Sequence, residues 1–161
     1  MRFVADGMLG KVTRWLRLLG EDVKCVNDFQ IPSEEEDSFL LDLAEEESRV
    51  LLTRDVDLNR EALKNNLKSV LLEDEEESPV SQINLISEKL DVSFDISLDS
   101  SRCSVCNGQL EKVEKSEMVG QVPDGVLENS DVFWRCEDCG KVYWCGAHWE
   151  NIEEAMRKLR D

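Results

Sequence analysis

The sequence lacks an apolar run of the length that crosses a membrane. A membrane helix needs about 18 or more consecutive apolar residues, and no stretch of this chain approaches that length. The N-terminus also lacks the charged segment and long apolar stretch of a secretory signal. We therefore expect a cytoplasmic protein that makes no membrane contact.

Basic residues are also scarce in this chain. Lys and Arg number 19 against 36 Asp and Glu, and the net charge is -17. A field of this sign repels nucleic acids and other polyanions, which counts against a passive nucleic-acid coat. A polyanionic substrate would have to be held by local features, such as a bound cation, helix N-termini and a few arginines.

Strand and helix patterns alternate over roughly residues 1–96. Short apolar runs predict strands at residues 2–5, 23–26, 50–52 and 69–72. Apolar residues at helical spacing predict helices at residues 8–19, 37–47, 59–66 and 80–90, and residues 73–77 are predicted to form an acidic turn. This alternation is typical of an α/β domain with a parallel sheet flanked by helices.

Acidic residues follow two of the predicted strands at the point where each strand ends. Asp6 comes directly after the first strand, and Asp55 and Asp57 follow the third. In open parallel sheets, ligand sites lie outside the carboxyl ends of the strands. Asp37, which we expect to cap the second helix, lies at the same edge because that helix starts there. The pattern predicts an acidic site formed by Asp6, Asp37, Asp55 and Asp57.

A group of three or four carboxylates favours a bound cation. Neighbouring carboxylates repel one another and raise their own pKa values unless a cation neutralises them. Hard oxygen ligands select Mg or Mn over Zn, so we expect one of these two ions. The alternative interpretation is that the four acids are separate helix caps and surface residues.

Three arginines are candidates for binding the phosphates of a substrate. Arg14 and Arg17 lie away from the apolar stripe of the first helix, and Arg54 precedes Asp55. Residues three apart on a helix are neighbours, so Arg14 and Arg17 share a face. That face is either simply solvated or in contact with substrate phosphates.

Four of the six cysteines form two Cys-x-x-Cys pairs, Cys103 with Cys106 and Cys136 with Cys139. Two residues between cysteines let both sulfurs bind one ion, and two such pairs close a tetrahedral zinc site. Four thiolates leave no open position for water, so we expect a structural zinc, with disulfide or redox use as the alternative. The 29 residues between the pairs, from 107 to 135, predict an inserted hairpin or loop through residues 118–130.

The cysteine pairs define the expected domain organisation. A first domain at residues 1–98 is followed by a zinc ribbon with a C-terminal helix at residues 99–161. A ribbon of this size buries little apolar area. We therefore expect metal removal to unfold residues 101–161 while leaving the first domain largely intact.

Several residues near the second cysteine pair have open interpretations. His148, the only histidine, is either an RNA contact or general acid, or a ring packed between Trp144 and Trp149. Cys145 forms a further Cys-x-x-His pattern with it. The aromatic residues either stack on bases or cover the small core. These aromatic residues are Phe133, Trp134, Tyr143 and Trp144.

Five segments, taken in order, resemble the Mut-seven-C RNase domain family over nearly the whole chain. They are Phe3-Val-Ala-Asp6, Leu9-Gly-Lys-Val-Thr-Arg-Trp-Leu-Arg17-Leu-Leu-Gly20, Leu52-Thr-Arg-Asp55, Arg102-Cys-Ser-Val-Cys106-Asn and Cys136-Glu-Asp-Cys139-Gly-Lys-Val-Tyr-Trp144. No single segment is specific, but their combination is.

The resemblance implies a PIN-like ribonuclease fold joined to a C-terminal zinc ribbon. It also implies cleavage of single-stranded RNA with Mg or Mn. Asp6, Asp37 and Asp55 match the acidic metal-holding positions and Asp57 is a weaker fourth, although PIN enzymes often carry a glutamate at the position of Asp37. The alternative function is a noncatalytic RNA- or protein-binding adaptor that uses the same scaffold.

Overall fold

The computed structural model describes residues 1–73 and 78–160. Its N-terminal region contains four parallel strands in the order β2-β1-β3-β4. The strands are β1 (Arg2–Ala5), β2 (Asp22–Cys25), β3 (Val50–Thr53) and β4 (Ser69–Leu71), and the helices are α1 (Gly10–Leu18), α2 (Glu36–Glu46), α3 (Val56–Lys64) and α4 (Pro79–Leu90). The predicted α/β fold with a helix-flanked parallel sheet is confirmed. Residues 74–77 of the predicted acidic turn lie outside the described residues.

Helices cover both faces of this sheet. Phe3 and Ala5 of β1 pack in one core cluster with residues of α1 and α4, whereas Val4 packs with residues of α2 and α3 on the other face. Successive residues of a strand point to opposite faces, which accounts for this division. β3 is buried along its whole length because it lies between β1 and β4 under both helical layers.

Two predicted helix starts at the carboxyl edge of the sheet need correction. α3 begins at Val56 rather than at residue 59, since Asp55 caps it by accepting hydrogen bonds from the amides of Asp57 and Leu58. Asp37 is not the cap of α2, which begins one residue earlier at Glu36. Asp37 therefore lies inside the first turn of α2, still at the carboxyl edge of the sheet.

The C-terminal region is built on three antiparallel strands in the order β5-β6-β7. The strands are β5 (Leu110–Val113), β6 (Phe133–Cys136) and β7 (Val142–Trp144). The insertion between the cysteine pairs is partly helical, with a 3-10 turn (Lys115–Met118) and α5 (Asp124–Asn129). Met118 and Val122 from this insertion pack against Phe133 and form a small core. The final helix, α6, spans Ala147–Arg160.

An apolar cluster joins the two regions. Leu18 of α1 and Leu98 pack with Trp134 of β6 and with Trp149 and Ile152 of α6. Met156 of α6 belongs to the core cluster of the parallel sheet. The C-terminal helix thus packs back onto the N-terminal region, which the sequence pattern did not predict.

Among the described residues, none of the helices combines the length and apolar character that crossing a bilayer requires.

Candidate active site and cysteine cluster

Asp6 lies where β1 ends and is held by three hydrogen-bond donors. Its Oδ2 accepts from Thr53 Oγ1 at 2.7 Å and from the amide of Arg54 at 2.9 Å, and its Oδ1 accepts from the amide of Met8 at 3.0 Å. Since β1 and β3 are neighbours in the sheet, the end of β3 supplies two of these donors. The Asp6 carboxylate is therefore fixed at the carboxyl edge of the sheet.

Asp55 is connected to Asp6 through Thr53. The amide of Asp55 donates to Thr53 Oγ1 at 3.0 Å, and that hydroxyl donates in turn to Asp6. Asp55 Oδ1 accepts from the amides of Asp57 and Leu58 at 2.8 and 3.0 Å. Asp55 is thus both a helix cap and an edge carboxylate, so the two interpretations of this residue are compatible.

Asp37 lies close enough to the other acids for their charges to affect it. Asp37 is exposed, yet partial desolvation and the charges of Asp55, Glu61 and Asp6 raise its pKa. A carboxyl whose pKa rises for these reasons lies in the negative field of its acidic neighbours. The start of α2 therefore adds to the acidic group at the ends of β1 and β3.

Glu61 of α3 is an acidic residue of this edge that the sequence pattern missed. It is exposed, and its charge raises the pKa of Asp37. A spacing of four residues from Asp57 places both on one face of α3, which was the available signal. Asp57 itself is 89% exposed and forms an ion pair with Arg60 at 3.2 Å.

The acidic group is not a closed coordination shell. Within residues 1–73 and 78–160, one group of three or more His, Cys, Asp or Glu side chains has all its ligand atoms within 4.8 Å of one another, and that group is the four cysteines. The carboxylates of Asp6, Asp37 and Asp55 are spaced more widely. They form a negatively charged edge that a hard cation fits by its chemistry.

The four cysteines come together at one point between the two regions. Cys103 Sγ lies 3.6 Å from Cys139 Sγ, and Cys106 Sγ lies 3.4 Å from Cys136 Sγ. Sulfurs that each lie about 2.3 Å from one tetrahedral zinc are separated by similar distances. The predicted ligand set can hold a metal such as zinc, as a zinc ribbon requires.

The backbone of both cysteine loops suits this arrangement. Asn107 and Gly140, which follow the two pairs, have positive φ angles of 68° and 79°. A Cβ atom on Gly108 would lie 2.7 Å from Cys136 Sγ, so only glycine leaves room for that sulfur. The turns that bring the sulfurs together therefore depend on these residue types.

The electrostatics of the cluster also favour a cation. Burial raises the pKa of the Cys103 thiol, but hydrogen bonds from Tyr143 and from backbone amides outweigh burial and lower it to about 7. Burial and the neighbouring thiols raise the pKa of Cys106 to about 12. Four adjacent thiols do not all ionise unless a cation lies between them.

Arg14 and Arg54 line one cavity beside the acidic edge. This cavity has a volume of about 560 Å³ and is also lined by Met8, whose amide donates to Asp6. Arg14 is exposed and Arg54 is half-buried. Two of the three candidate phosphate-binding arginines therefore line the cavity that Met8 borders.

Arg17 is buried, whereas its position in the sequence predicts a side chain that is exposed to solvent or to substrate. It is only 2% exposed. Its guanidinium donates to Val23 O at 2.9 and 2.7 Å, to Asp28 Oδ2 at 2.6 Å, and to the carbonyls of Ser104 and Val105 at 3.2 Å each. The last turn of α1 lies against β2 and the first cysteine loop, so the arginine connects the two regions through its hydrogen bonds.

A family comparison bears on these features. The Mut7-C RNAse domain matches residues 1–156. The chain belongs to the Mut7-C RNAse domain family. No curated protein and no solved structure matched the chain.

Membership of the Mut7-C RNAse domain family indicates a ribonuclease-related role and interaction with RNA. The match extends through both the parallel sheet and the cysteine cluster, so the two regions occur together in this Mut7-C RNAse domain. The resemblance read from the five sequence segments is confirmed.

The aromatic residues of this Mut7-C RNAse domain belong mainly to its cores. Phe133 is fully buried and Trp134 is 7% exposed, so neither is placed to stack on bases. His148 is exposed and is not enclosed between Trp144 and Trp149. Cys145 is not part of the four-cysteine cluster, and burial together with nearby acids raises its pKa.

Proposed function

We propose that this protein is an endoribonuclease that uses Mg²⁺ or Mn²⁺ to cleave single-stranded RNA at the carboxyl edge of its parallel sheet. The observation that carries the proposal is the Thr53 hydroxyl, which connects Asp6 to the backbone of Asp55 at the ends of neighbouring strands. Family membership supports RNA as the substrate. A PIN-like relationship of the fold is part of the same proposal.

The chemistry of the acidic edge fits a hard divalent cation. Asp6, Asp37 and Asp55 would hold the ion, Glu61 lies close by, and Asp57 is the weaker fourth candidate. The raised pKa of Asp37 reflects repulsion that a cation would relieve. When bound, the ion supplies positive charge that stabilises the phosphate in the transition state and lowers the pKa of water.

The protein's own groups position the reactants. Three donors fix the Asp6 carboxylate before substrate arrives, so little reorganisation is needed on binding. Arg14 and Arg54 line the adjacent cavity and would neutralise phosphates of the bound strand. These local positive charges oppose the general field of a protein whose net charge is -17.

We propose zinc for the four-cysteine cluster, with a structural role. Thiolates are soft ligands that select zinc over the harder ions of the acidic edge. Four sulfurs complete a tetrahedral shell and leave no position for substrate. Each metal would thus have its own site: oxygen ligands for Mg²⁺ or Mn²⁺, and Cys103, Cys106, Cys136 and Cys139 for zinc.

Cleavage of a labelled single-stranded RNA with Mn²⁺ tests the proposal. Asp6→Asn and Asp55→Asn should each reduce cleavage by at least about a hundredfold, because each removes a metal-holding charge. Asp42→Asn is the matched control, since Asp42 is an exposed residue of α2. Wild-type protein without cleavage in Mg²⁺ or Mn²⁺, or an Asp6→Asn variant as active as wild type, would overturn the proposal.

One observation favours a second candidate, a noncatalytic RNA- or protein-binding adaptor. The carboxylates of Asp6, Asp37 and Asp55 are not close enough to form a closed ligand set. An adaptor requires the scaffold and the cysteine cluster but not these charges. RNA binding that survives Asp6→Asn together with no cleavage by wild type would favour the adaptor.

A further inference from the structure

A second cavity lies between α1 and the C-terminal region, and we call it the junction groove. Its volume is about 580 Å³. Both regions contribute to its walls: Lys11, Thr13 and Arg14 come from α1, whereas Lys141 and His148 come from the chain around β7. The groove therefore exists only when the two regions are packed together.

The junction groove is basic in a strongly acidic protein. Lys11, Arg14 and Lys141 are exposed, so their charges can reach a ligand. Among the described lining residues, Asp28 is the one acidic side chain, and it pairs with Arg17 at 2.6 Å. The chain has 36 acidic residues, yet the junction groove has no acidic side chain without a basic partner among its described lining residues. A basic surface of this kind favours an anionic ligand.

The groove also contains a buried polar group that has no partner. Thr13 is 2% exposed, and its hydroxyl makes no hydrogen bond to any part of the chain that the structure describes. A buried hydroxyl without a partner costs free energy, and an ordered water beside it would supply one. This observation is independent of the charges.

The junction groove continues toward the acidic edge. Gly10, Lys11 and Arg14 line both the groove and the cavity that contains Arg54. Met8 lines that second cavity and donates its amide to Asp6. An extended ligand could therefore follow α1 from Lys141 to Asp6 without leaving a basic surface.

The cysteine cluster positions the lysine on the far wall. Lys141 Nζ lies 5.2 Å from the centre of the Tyr143 ring, in a cation–π contact. The Tyr143 hydroxyl lies 3.1 Å from Cys103 Sγ and accepts a hydrogen bond from the amide of Ser104 at 3.0 Å. A metal held by the cysteines would fix Cys103 and, through its contact with the Tyr143 hydroxyl, the ring under Lys141.

We propose that the junction groove binds the backbone phosphates of single-stranded RNA, with Lys141 and His148 of the C-terminal region acting together with Lys11 and Arg14 of α1. The RNA ligand rests on the function proposed above. On this proposal the C-terminal region, which contains the cysteine cluster, takes part in substrate binding. The RNA strand would run from the acidic edge along α1 toward Lys141.

Fluorescence anisotropy of a labelled oligouridylate tests this inference on the full-length, zinc-loaded chain. Lys141→Ala should weaken binding about threefold to tenfold and reduce the slope of log K against log salt by about 0.7, the value for one phosphate of a single strand. Lys141→Glu should weaken binding further. Zinc content and melting temperature should stay unchanged in both variants.

Lys112→Ala is the matched control. Lys112 is another exposed lysine that lies over an aromatic ring of the same region, 5.7 Å from the centre of Trp134, but it does not line the groove. Its replacement should leave RNA affinity and the salt slope unchanged. Equal losses from Lys112→Ala and Lys141→Ala would reflect the general charge and overturn the inference.

The outcomes separate the groove from the proposed catalysis. If the protein cleaves RNA with Mn²⁺ but Lys141→Ala does not change RNA affinity, the RNA-binding role of the groove is wrong and the proposed nuclease activity is supported. Lys141-dependent binding without any cleavage would support the groove and overturn the nuclease. Polyglutamate is the competing ligand. If it displaces the RNA, and if Lys141→Ala weakens its binding as much as RNA binding, the groove is an acidic-peptide site and the assignment to RNA is wrong.

Discussion

The hydroxyl of Thr53 donates a hydrogen bond to Asp6 Oδ2 at 2.7 Å. The same hydroxyl accepts a hydrogen bond from the amide of Asp55 at 3.0 Å. Thr53 is fully buried at the end of β3, so water does not compete for these bonds. One short side chain therefore sets the relative position of two acidic residues that belong to different strand ends.

Replacing Thr53 should disturb the acidic edge without removing any of its charges. Thr53→Val keeps the side-chain volume but removes a donor to Asp6 and an acceptor for Asp55. We expect a stability loss of about 1–3 kcal/mol, because buried polar groups are left unpaired, and about a tenfold or greater fall in manganese-dependent cleavage. Urea unfolding and cleavage rates measure the two effects.

Thr53→Ser is the control for this positioning role, since it retains the hydroxyl. It should recover most of the cleavage rate even where it lowers stability. Equal loss of activity in Thr53→Ser and Thr53→Val would show that packing, and not the hydrogen bonds, matters at this position.

Asp37 should make folding stability depend on pH. Its pKa in the folded protein is raised above the ordinary 3.8, so the folded state binds the proton more tightly than the unfolded state. Stability therefore falls as the pH rises from the unfolded pKa through the folded pKa. Asp37→Asn should raise the melting temperature at pH 7 by up to about 2 °C, and this advantage should shrink below pH 4.

Mn²⁺ should reverse the advantage of Asp37→Asn. A cation that binds the folded state stabilises it by mass action, and on the proposed function the wild type should bind that cation more tightly than Asp37→Asn. Melting curves with and without Mn²⁺ check this, with Asp42→Asn as the control. An Asp37→Asn variant that gains as much stability from Mn²⁺ as wild type would argue against Asp37 as a metal-holding residue.

Arg17 and Arg14 should have opposite effects, although they are one helical turn apart. Arg17→Ala leaves the carbonyls of Val23, Ser104 and Val105 without their donor and should cost about 2–4 kcal/mol. Arg14→Ala removes an exposed side chain and should change stability by about 0.5 kcal/mol or less, while it weakens RNA binding. Chemical unfolding measures the stability of both variants, and fluorescence anisotropy measures their RNA affinity.

The Arg17 result also has a contradicting outcome. Should Arg17→Ala remain as stable as wild type while losing RNA affinity, the side chain would belong to the substrate site after all. Arg17→Lys is a second test of the structural role. Lysine keeps the charge but cannot reproduce the several directed hydrogen bonds of the guanidinium, so this variant should also lose stability.

Removal of the cysteine-bound metal should affect both regions. Metal analysis should find one zinc per chain, and chelation should unfold the C-terminal region. Arg17 donates to the first cysteine loop, and Asn107 bonds to Asp22 and to the amide of Val23 in β2, so the N-terminal region should lose stability as well. These contacts lead us to expect coupled unfolding, whereas the sequence alone predicts that the first domain stays largely intact.

Hydrogen exchange of the metal-free protein measures this coupling. Faster exchange in β1 and β2 after chelation, with recovery when zinc is returned, is the expected result. Full protection of these strands in metal-free protein would restore the picture of two independent regions. Folded protein that contains no zinc would contradict the metal assignment itself.

The sequence by itself determined the strands and helices of the parallel-sheet region and the four cysteines that come together. These features rest on local rules: apolar periodicity selects strand or helix, and two residues between cysteines allow both sulfurs to bind one ion. The alternation of strands and helices was enough to predict a parallel sheet, and therefore the edge at which Asp6 and Asp55 lie. Local capping by Asp55 moved the start of α3 by three residues without changing the fold.

Only the tertiary structure decided which side chains are available and which connect the two regions. Arg14 and Arg17 share a helix face in sequence, but Arg17 is buried because carbonyls of the first cysteine loop, 87 and 88 residues away, lie against it. The junction groove likewise joins α1 to residues around β7. Helical periodicity shows only which face of its own helix a residue occupies. Whether that face is buried depends on which distant segment packs against it.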